Sequence, residues 1–278
     1  MSEEIVPGAL YVVATPLGNL EDITYRAVRI LGGVSRVLCE DTRKTRVLCE
    51  HYGVTAPLLR HDAHTEARSA QGAIALLAAG ESLALVSDAG TPGVCDPGAR
   101  LVRDVVAAGH RVIPVPGASA VTALLSVSGR AAPGFAFGGF LPKPKAALDA
   151  LLAALPPGVH AFFVPARDLA AALERLATHH PGADVVAGRE LTKLHEHVYR
   201  GLAADAAAAV AADPHGDRGE AVIVVEVPPK ETDDDAIRAA LAAERARGLS
   251  QKAAIAAVTA ALGVRRARVY ALALDADG

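Results

Sequence analysis

The sequence predicts an α/β protein with two α/β domains and a small C-terminal helical appendage, and three observations support this fold class. In the first 128 residues, short β-branched or leucine-rich runs alternate with stretches of helical periodicity. A second series of strands and helices follows Gly129–Gly139, which is dense in glycine and proline. After Pro228 and Pro229 the composition changes to a charged segment and then to two helical stretches.

The first predicted domain covers residues 1–128. Its strand candidates are Ala9–Ala14, Arg36–Cys39, Leu83–Val86 and Arg111–Val115. Its predicted helices are Thr24–Leu31, Thr42–Tyr52, Ala67–Ala79, Gly98–Ala108 and Ser119–Ser128. This order is that of βαβ units, so we expect a largely parallel sheet with helices on both faces.

The second predicted domain covers residues 129–229, and the helical appendage covers residues 230–278. Strands are predicted at Ala161–Val164, Asp184–Arg189, His197–Tyr199 and Ala221–Val227. Helices are predicted at Ala146–Leu155, Leu169–Thr178 and Leu202–Ala211, and in the appendage at Ala236–Arg247 and Ser250–Leu262.

Composition and charge narrow the class of protein. Of the 278 residues, 51% are hydrophobic, and the net charge of −3 provides no overall basic field, so any contact with RNA must use local basic patches. Three cysteines without a CxxC pair fit a reducing compartment. The acidic N-terminus does not resemble a signal peptide, and no apolar run is long enough for a membrane span. We therefore expect a soluble cytoplasmic protein.

Several common functional motifs are absent from the sequence. It contains neither GxGxxG nor GxxxxGK[ST], which argues against an ordinary dinucleotide fold and a P-loop. His195-Glu196-His197 is not HExxH, and the pair His61 and His64 lacks further ligands nearby, so no metal site is expected. Ser119 lies in Gly-Ala-Ser-Ala-Val rather than GxSxG, which disfavours a hydrolase nucleophile.

Three loops that follow predicted strands contain glycine, proline and polar residues. They are Ala14–Asn19, Ser87–Gly93 and Val115–Ala120. Ligands of open α/β sheets bind at the carboxyl ends of strands, where glycine allows close approach to the backbone and an acid such as Asp88 can bind ribose hydroxyls or an amino group. One such loop is typical of an ordinary βα turn, but three at one sheet edge favour a nucleoside pocket.

Two polar clusters allow two interpretations each. Glu40 to Arg46 follows a strand and opens a helix, so it could cap the helix and hold a phosphate, or form only an acidic cap with a solvated basic face. Gly188 to Lys193 lies at a strand end in the second domain. It could belong to a functional site, or it could form only surface ion pairs.

These loops resemble the tetrapyrrole methylase superfamily and, within it, the 16S rRNA (cytidine-2′-O)-methyltransferase branch. The resemblance rests on motifs that keep their order over most of the chain. They are Leu10 to Thr24 with its Thr-Pro-Leu-Gly-Asn-Leu, Glu40 to Arg43, Ser87 to Pro92 with Asp96-Pro97-Gly98, Pro116 to Ala120, Gly139 to Pro142, and Arg189 to Lys193.

The resemblance implies two α/β domains of the tetrapyrrole methylase type, with S-adenosylmethionine in the interdomain cleft and commonly a homodimer. By motif, it assigns one group of residues to shaping the cleft or contacting the cofactor. They are Pro16, Gly18, Asp88, Ala89, Gly90, Thr91, Ser119, Ala120, Phe163 and Leu191.

The implied reaction is the attack of a ribose 2′-hydroxyl on the sulfonium methyl group, with a cytidine of 16S rRNA in the small ribosomal subunit as the acceptor. The protein would supply alignment and a base for the hydroxyl proton, and no metal is expected. Asp41, Glu190 and Lys193 are the candidates for catalysis or substrate positioning. Arg43, Lys44, Arg46 and Lys143 are the candidate RNA phosphate contacts.

The chain also departs from the family pattern. Where relatives show an aromatic pair followed by Glu-Ser-Pro-His-Arg, it has Phe162 to Asp168, with Val164 at the acidic position and Asp168 at the terminal arginine position. Two alternatives stay open: a methyltransferase for a tetrapyrrole or another small molecule, and a non-catalytic module that binds RNA or ribosomes. Arg265, Arg266 and Arg268 in the appendage favour a macromolecular substrate.

Overall fold

The structure, a computed structural model, describes residues 4–61, 66–96, 98–130, 134–229 and 233–275. The chain forms two compact units. The larger comprises Met1–Ala154 and Val159–Glu226, and the smaller comprises Leu155–Gly158 and Val227–Gly278. Within the described ranges, no helix has the length and apolar character needed to cross a membrane.

The first sheet of the larger unit has five strands in the order β3-β2-β4-β1-β5, and all neighbouring strands are parallel. The strands are β1 Leu10–Val13, β2 Arg36–Cys39, β3 Leu58–Arg60, β4 Leu83–Leu85 and β5 Val112–Val115. The accompanying helices are α1 Tyr25–Gly33, α2 Thr42–His51, α3 Glu66–Ala78, α4 Ala99–Ala107 and α5 Ala120–Ser126.

Helices cover both faces of this sheet, as the sequence predicted. Alternation along β1 directs Tyr11 into a core cluster with Ile30 of α1, whereas Leu10 lies in a second cluster with Leu77 of α3 and Leu101 of α4. These side chains are nearly or fully buried, and each contributes about 1.5–3 kcal/mol through removal of apolar surface from water. The packing holds the carboxyl ends of β1, β4 and β5 side by side.

The second sheet is mixed and has the order β6-β7-β10-β8-β9. β6 and β7 are parallel, whereas β8 is antiparallel to both of its neighbours. The strands are β6 Phe135–Phe140, β7 Gly158–Pro165, β8 Asp184–Arg189, β9 His197–Leu202 and β10 Glu220–Val227. The helices of this part are α6 Lys145–Ala153, α7 Ala166–His179 and α8 Ala203–Ala212.

The end of the predicted joint Gly129–Gly139 is corrected by the structure, since Phe135–Phe140 forms strand β6. Three phenylalanines in six residues favour an extended edge strand despite the Gly138-Gly139 pair. Residues 131–133 of the joint lie outside the described residues. Both sheets belong to the larger compact unit, and the predicted domain boundaries stay predictions.

The described residues of the smaller unit form three helices, α9 Asp234–Ala246, α10 Gln251–Leu262 and α11 Arg266–Asp275. Their apolar faces meet in one core cluster that includes Ile237, Ile255 and Val269. The Ser250 hydroxyl caps α10 by accepting a hydrogen bond from the amide of Ala253 at 3.4 Å, and Gly263 ends the helix in the left-handed conformation. Helix α11 was not predicted, because its basic start hides the apolar positions that follow.

Candidate active site

The three strand-end loops meet at one edge of the first sheet, which confirms the predicted placement. Thr15 and Gly90 exchange two backbone hydrogen bonds, of 2.8 and 3.0 Å, and the Thr15 hydroxyl donates to the carbonyl of Ser87 at 3.1 Å. The Thr91 hydroxyl donates to the carbonyl of Ala118 at 3.2 Å. Gly90 has φ +75°, a conformation that glycine adopts without strain. These bonds fix the three loops relative to one another.

A loop of the second sheet closes against the first of these loops. The backbone amide of Asn19 donates to the Thr192 hydroxyl at 3.1 Å. At Gly18 the missing side chain leaves room for Lys193, because an added Cβ would lie 2.3 Å from its Cγ. Glu190 and Thr192 have φ values of +50° and +68°, which are costly for residues with a side chain. Backbone strain of this kind often occurs at functional sites.

Loops and strand ends of the two sheets enclose a cavity of about 380 Å³. Eleven of the seventeen residues assigned from the sequence line it: Lys44, Asp88, Ala89, Gly90, Thr91, Ser119, Ala120, Phe163, Glu190, Leu191 and Lys193. The other six, which are absent from the lining, are Pro16, Gly18, Asp41, Arg43, Arg46 and Lys143.

Pro16 and Gly18 flank the lining residue Leu17 in the sequence. Pro16 is buried and Gly18 lies against the stem of Lys193. Their position agrees with a role in shaping the site rather than in direct contact.

The cavity is acidic. Among the residues that the structure describes, its lining includes the carboxylates of Glu40, Asp88, Asp96, Glu190 and Glu220 and two lysines, Lys44 and Lys193. Lys44 Nζ lies 2.8 Å from Asp88 Oδ2, and Lys193 Nζ lies 2.8 Å from Glu190 Oε1. The excess of negative charge favours a ligand with positive charge.

Asp88 connects two elements of the first sheet. Besides the contact with Lys44, its carboxylate accepts a hydrogen bond from the backbone amide of Asp41 at 3.2 Å. It therefore ties the start of α2 to the loop after β4, in addition to lining the cavity.

Asp96 differs from the other cavity acids. None of the described residues donates a hydrogen bond to its carboxylate or forms an ion pair with it. Burial raises the pKa of the Asp96 carboxyl to about 6, and the negative charges of Glu40, Asp88 and Glu220 act in the same direction. A carboxylate with these properties can accept a proton near neutral pH.

The three predicted catalytic residues have different surroundings. Asp41 caps α2, accepting from the amide of Arg43 at 2.9 Å and from its guanidinium at 2.7 and 3.0 Å. These bonds hold the pKa of Asp41 well below its usual range, and its side chain does not line the cavity. Burial opposes the ionisation of Glu190, but hydrogen bonds from Lys193 and from the amide of Glu220 outweigh it and lower the pKa.

The predicted phosphate contacts are also dispersed. Lys44 faces the cavity, whereas Arg43 pairs with Asp41, and Arg46 and Lys143 are exposed outside the cavity lining. Among the described residues, no group of three His, Cys, Asp or Glu side chains is arranged to hold a metal ion. His64, of the pair weighed as metal ligands, lies outside the described residues.

An aromatic cluster forms the wall contributed by the second sheet. The ring centroid of Phe163 lies 5.0 Å from that of Phe137 and 5.3 Å from that of Phe140. Phe163 and Phe140 both line the cavity, as does Val164, a buried residue at the position where the family pattern has an acid.

Glu40, Asp96 and Phe140 were not among the residues assigned to catalysis, cofactor binding or RNA binding from the sequence. Each belongs to a motif on which the resemblance was based, so proximity to a motif was an available indication. The segment from Gly219 to Val222 was also missed, because strand ends that form a cavity wall have no distinctive sequence pattern.

The comparison with known families agrees with this geometry. The sequence model of one family, the tetrapyrrole (corrin/porphyrin) methylases, matches residues 9–206, which is most of the chain. The chain belongs to the tetrapyrrole methylase family. The matched residues contain β1 to β9, which are nine of the ten strands in the described part of the chain.

Similar members of the tetrapyrrole methylase family include proteins named ribosomal RNA small subunit methyltransferase I. The Xylella fastidiosa (strain Temecula1) protein is 48% identical over 223 residues, which are 79% of this chain and 82% of that protein. The Escherichia coli O157:H7 protein is 38% identical over 277 residues, which are 98% of this chain and 96% of that protein.

Solved structures of the family share the fold. The uroporphyrin-III C-methyltransferase of Thermus thermophilus, in complex with S-adenyl homocysteine, superposes with a TM-score of 0.56 at 17% identity. The match covers 78% of this chain and 97% of that one.

Proposed function

We propose that the protein transfers a methyl group from S-adenosylmethionine to the ribose 2′-hydroxyl of a cytidine in 16S rRNA. The main support is the acidic cavity at the meeting point of the three strand-end loops, in a chain whose relatives over nearly its full length are named ribosomal RNA small subunit methyltransferase I. It would act as a cytoplasmic enzyme and as a homodimer.

The cavity fits S-adenosylmethionine in size and charge. Its volume of about 380 Å³ lies in the range of roughly 300–1,000 Å³ that is usual for small-molecule sites. The cofactor has a sulfonium and an ammonium group against one carboxylate, and the lining has five carboxylates against two lysines. The ring of Phe163 offers a further favourable surface to a cation.

The residues that would hold the cofactor come from three loops and the second sheet. Ala89, Gly90 and Thr91 would present backbone groups after β4, and Ser119 and Ala120 would do so at the start of α5. Phe163 and Leu191 would cover it from the second sheet, with Asp88 fixing the loop geometry. When bound, the cofactor would supply a methyl group from its positively charged sulfur atom to an oxygen nucleophile, with breakage of the carbon–sulfur bond.

We propose that Asp96 accepts the proton of the acceptor hydroxyl. It lines the cavity and its carboxylate is engaged by none of the described residues. By contrast, Glu190 is held by Lys193 and by the amide of Glu220, which suits a positioning role for the pair Glu190 and Lys193. The Asp41 carboxylate accepts hydrogen bonds from Arg43 and caps α2, so it would position the helix.

The RNA backbone would bind outside the cavity, because the acidic lining repels phosphate groups. Arg43, Arg46 and Lys143 are exposed outside the cavity lining and would contact phosphates at the surface, whereas Lys44 would do so from the cavity wall. Only the acceptor nucleotide needs to enter the cavity.

The experiment that tests this function is the transfer of labelled methyl groups from S-adenosylmethionine to small ribosomal subunits that lack the modification. Nuclease digestion should place the label on the 2′-oxygen of a cytidine. Cofactor binding without transfer to RNA would favour a small-molecule methyltransferase, and the absence of both would favour a non-catalytic binding module. Sedimentation of the purified protein should give twice the mass of one chain.

A further inference from the structure

Strand β6 contains a bulge immediately before Phe140. Phe137 pairs with Ala161 and Phe140 pairs with Phe163, so three steps along β6 match two steps along β7. One residue is therefore extra on β6. Side chains alternate along a strand, so Phe137 and Phe140, which are three residues apart, would face opposite sides of a regular strand. With it, Phe137, Phe140 and Phe163 share one face.

The bulge contains two glycines at positions that disfavour a side chain, Gly138 because of its surroundings and Gly139 because of its backbone conformation. A Cβ at Gly138 would lie 2.2 Å from the ring of Phe162. Gly139 has φ +71°, and a Cβ there would lie 3.2 Å from Cys95 Sγ. The local sequence therefore has a specific geometric effect, which is to turn Phe140 towards the cavity.

The result is an aromatic ring that lines the cavity and is also open to solvent. Phe140 lines the cavity while 58% of its surface is exposed, whereas Phe163 behind it is only partly exposed. A single exposed apolar residue is common in proteins. Here the exposed ring packs against that of Phe163, with the two ring centroids 5.3 Å apart, and the bulge places it on the same face as Phe163.

A nucleotide whose ribose enters a cavity must leave the base stack of its RNA. The lost stacking is commonly replaced by an aromatic side chain of the protein. Phe140 lies where the cavity meets solvent, on the outer side of Phe163, whose ring would cover the cofactor.

We propose that Phe140 is the stacking platform for the base of the acceptor nucleotide. This inference rests on the proposed function, since it requires an RNA acceptor. It assigns Phe140 to the binding of the acceptor and not to that of the cofactor.

Phe135 provides a matched control. It is an exposed phenylalanine on the same strand, with 47% of its surface accessible, but it does not line the cavity. The variants are Phe140→Ala, Phe140→Trp and Phe135→Ala, each compared with the wild type by thermal melting, by calorimetric binding of S-adenosylmethionine and by methyl transfer to small ribosomal subunits.

We expect Phe140→Ala to raise KM for the subunits by roughly 10-fold or more, with cofactor affinity within about twofold of the wild type. Phe140→Trp should retain a KM near that of the wild type, and Phe135→Ala should match the wild type throughout. An unchanged KM in Phe140→Ala, a parallel loss of cofactor binding, or an equal defect in Phe135→Ala overturns the inference while leaving the proposed function intact. Absence of transfer by the wild type overturns both.

Discussion

The backbone amide of Asn19 donates a hydrogen bond to the Thr192 hydroxyl at 3.1 Å and joins the loop after β1 to the loop after β8. The two residues belong to loops of different sheets. Next to this bond, Gly18 lies against Lys193, and Lys193 in turn pairs with Glu190. The position of Lys193 on one side of the cavity therefore depends on the absence of a side chain at residue 18.

Replacing Gly18 with Ala should reduce methyl transfer about tenfold while the protein stays folded. The new Cβ would lie 2.3 Å from Lys193 Cγ, so the lysine stem must move and its ion pair with Glu190 must change. The control is Gly32→Ala, where an added Cβ meets nothing within 4 Å and the helix α1 should gain about 0.5–1 kcal/mol. Equal activity of the two variants would show that the contact has no functional role.

Replacing Asp96 with Asn should lower kcat by ~100-fold or more, as for the loss of a general base. In the wild type, kcat should rise as the pH passes about 6, because the active form is the ionised carboxylate. Pre-steady-state transfer rates over a pH series would measure both effects. The control is Asp104→Asn on α4, whose partner is Arg100 at 3.5 Å and which lies outside the cavity lining. A kcat of Asp96→Asn equal to that of the wild type would refute the assignment.

The same substitution should raise Tm by a few degrees near neutral pH. The pKa of Asp96 is raised from 3.8 to about 6 in the folded protein, so the folded state binds more protons than the unfolded state between these values. Stability is therefore lost as the pH rises through this interval, and asparagine removes the ionisation that causes the loss. Calorimetric melts at low and neutral pH would test this, and the difference between variant and wild type should disappear at the lower pH.

Substitutions of Asp41 should distinguish a helix cap from a catalytic base. Asp41→Asn keeps a side-chain acceptor for the amide of Arg43, so stability and turnover should stay near wild type. Asp41→Ala should cost about 1 kcal/mol in the free energy of unfolding. If Asp41→Asn melts normally but has lost turnover, the carboxylate itself is required for catalysis.

Replacing Arg46 or Lys143 with Ala should weaken RNA binding without changing cofactor affinity. Both side chains are exposed and lie outside the cavity lining. Each lost phosphate contact should reduce the slope of log affinity against log salt by about 1. Filter binding over a salt series would measure the slope, and an unchanged slope would place the RNA elsewhere on the surface.

The sequence was a good guide to elements with strong local patterns. β2 and β8 have the bounds that were predicted for them, because their β-branched and leucine-rich runs end at clear polar residues. β3 was missed because only two of its residues, Leu58 and Leu59, are apolar. β6 was missed because the Gly138-Gly139 pair that forms its bulge also suggests a turn.

The site was predictable where a motif supplies backbone geometry and less so where burial decides the chemistry. The loops containing Gly90 and Ser119 lie at the predicted edge. The properties of Asp96 depend on its burial and on Glu40, Asp88 and Glu220, which come from distant parts of the chain. The engagement of Asp41 by Arg43 is local, but the i to i+2 spacing alone does not distinguish a cap from a base.

Calorimetric titration with S-adenosylmethionine tests most directly whether the cavity is the cofactor site. The variants are Ala120→Trp, which fills the cavity at the start of α5, and Thr122→Trp, an exposed position on the same helix outside the cavity lining. We predict one bound cofactor per chain for the wild type and for Thr122→Trp, and none for a folded Ala120→Trp. A wild-type protein that binds no cofactor, or an Ala120→Trp variant that binds it as tightly as the wild type, would contradict the assignment of this cavity.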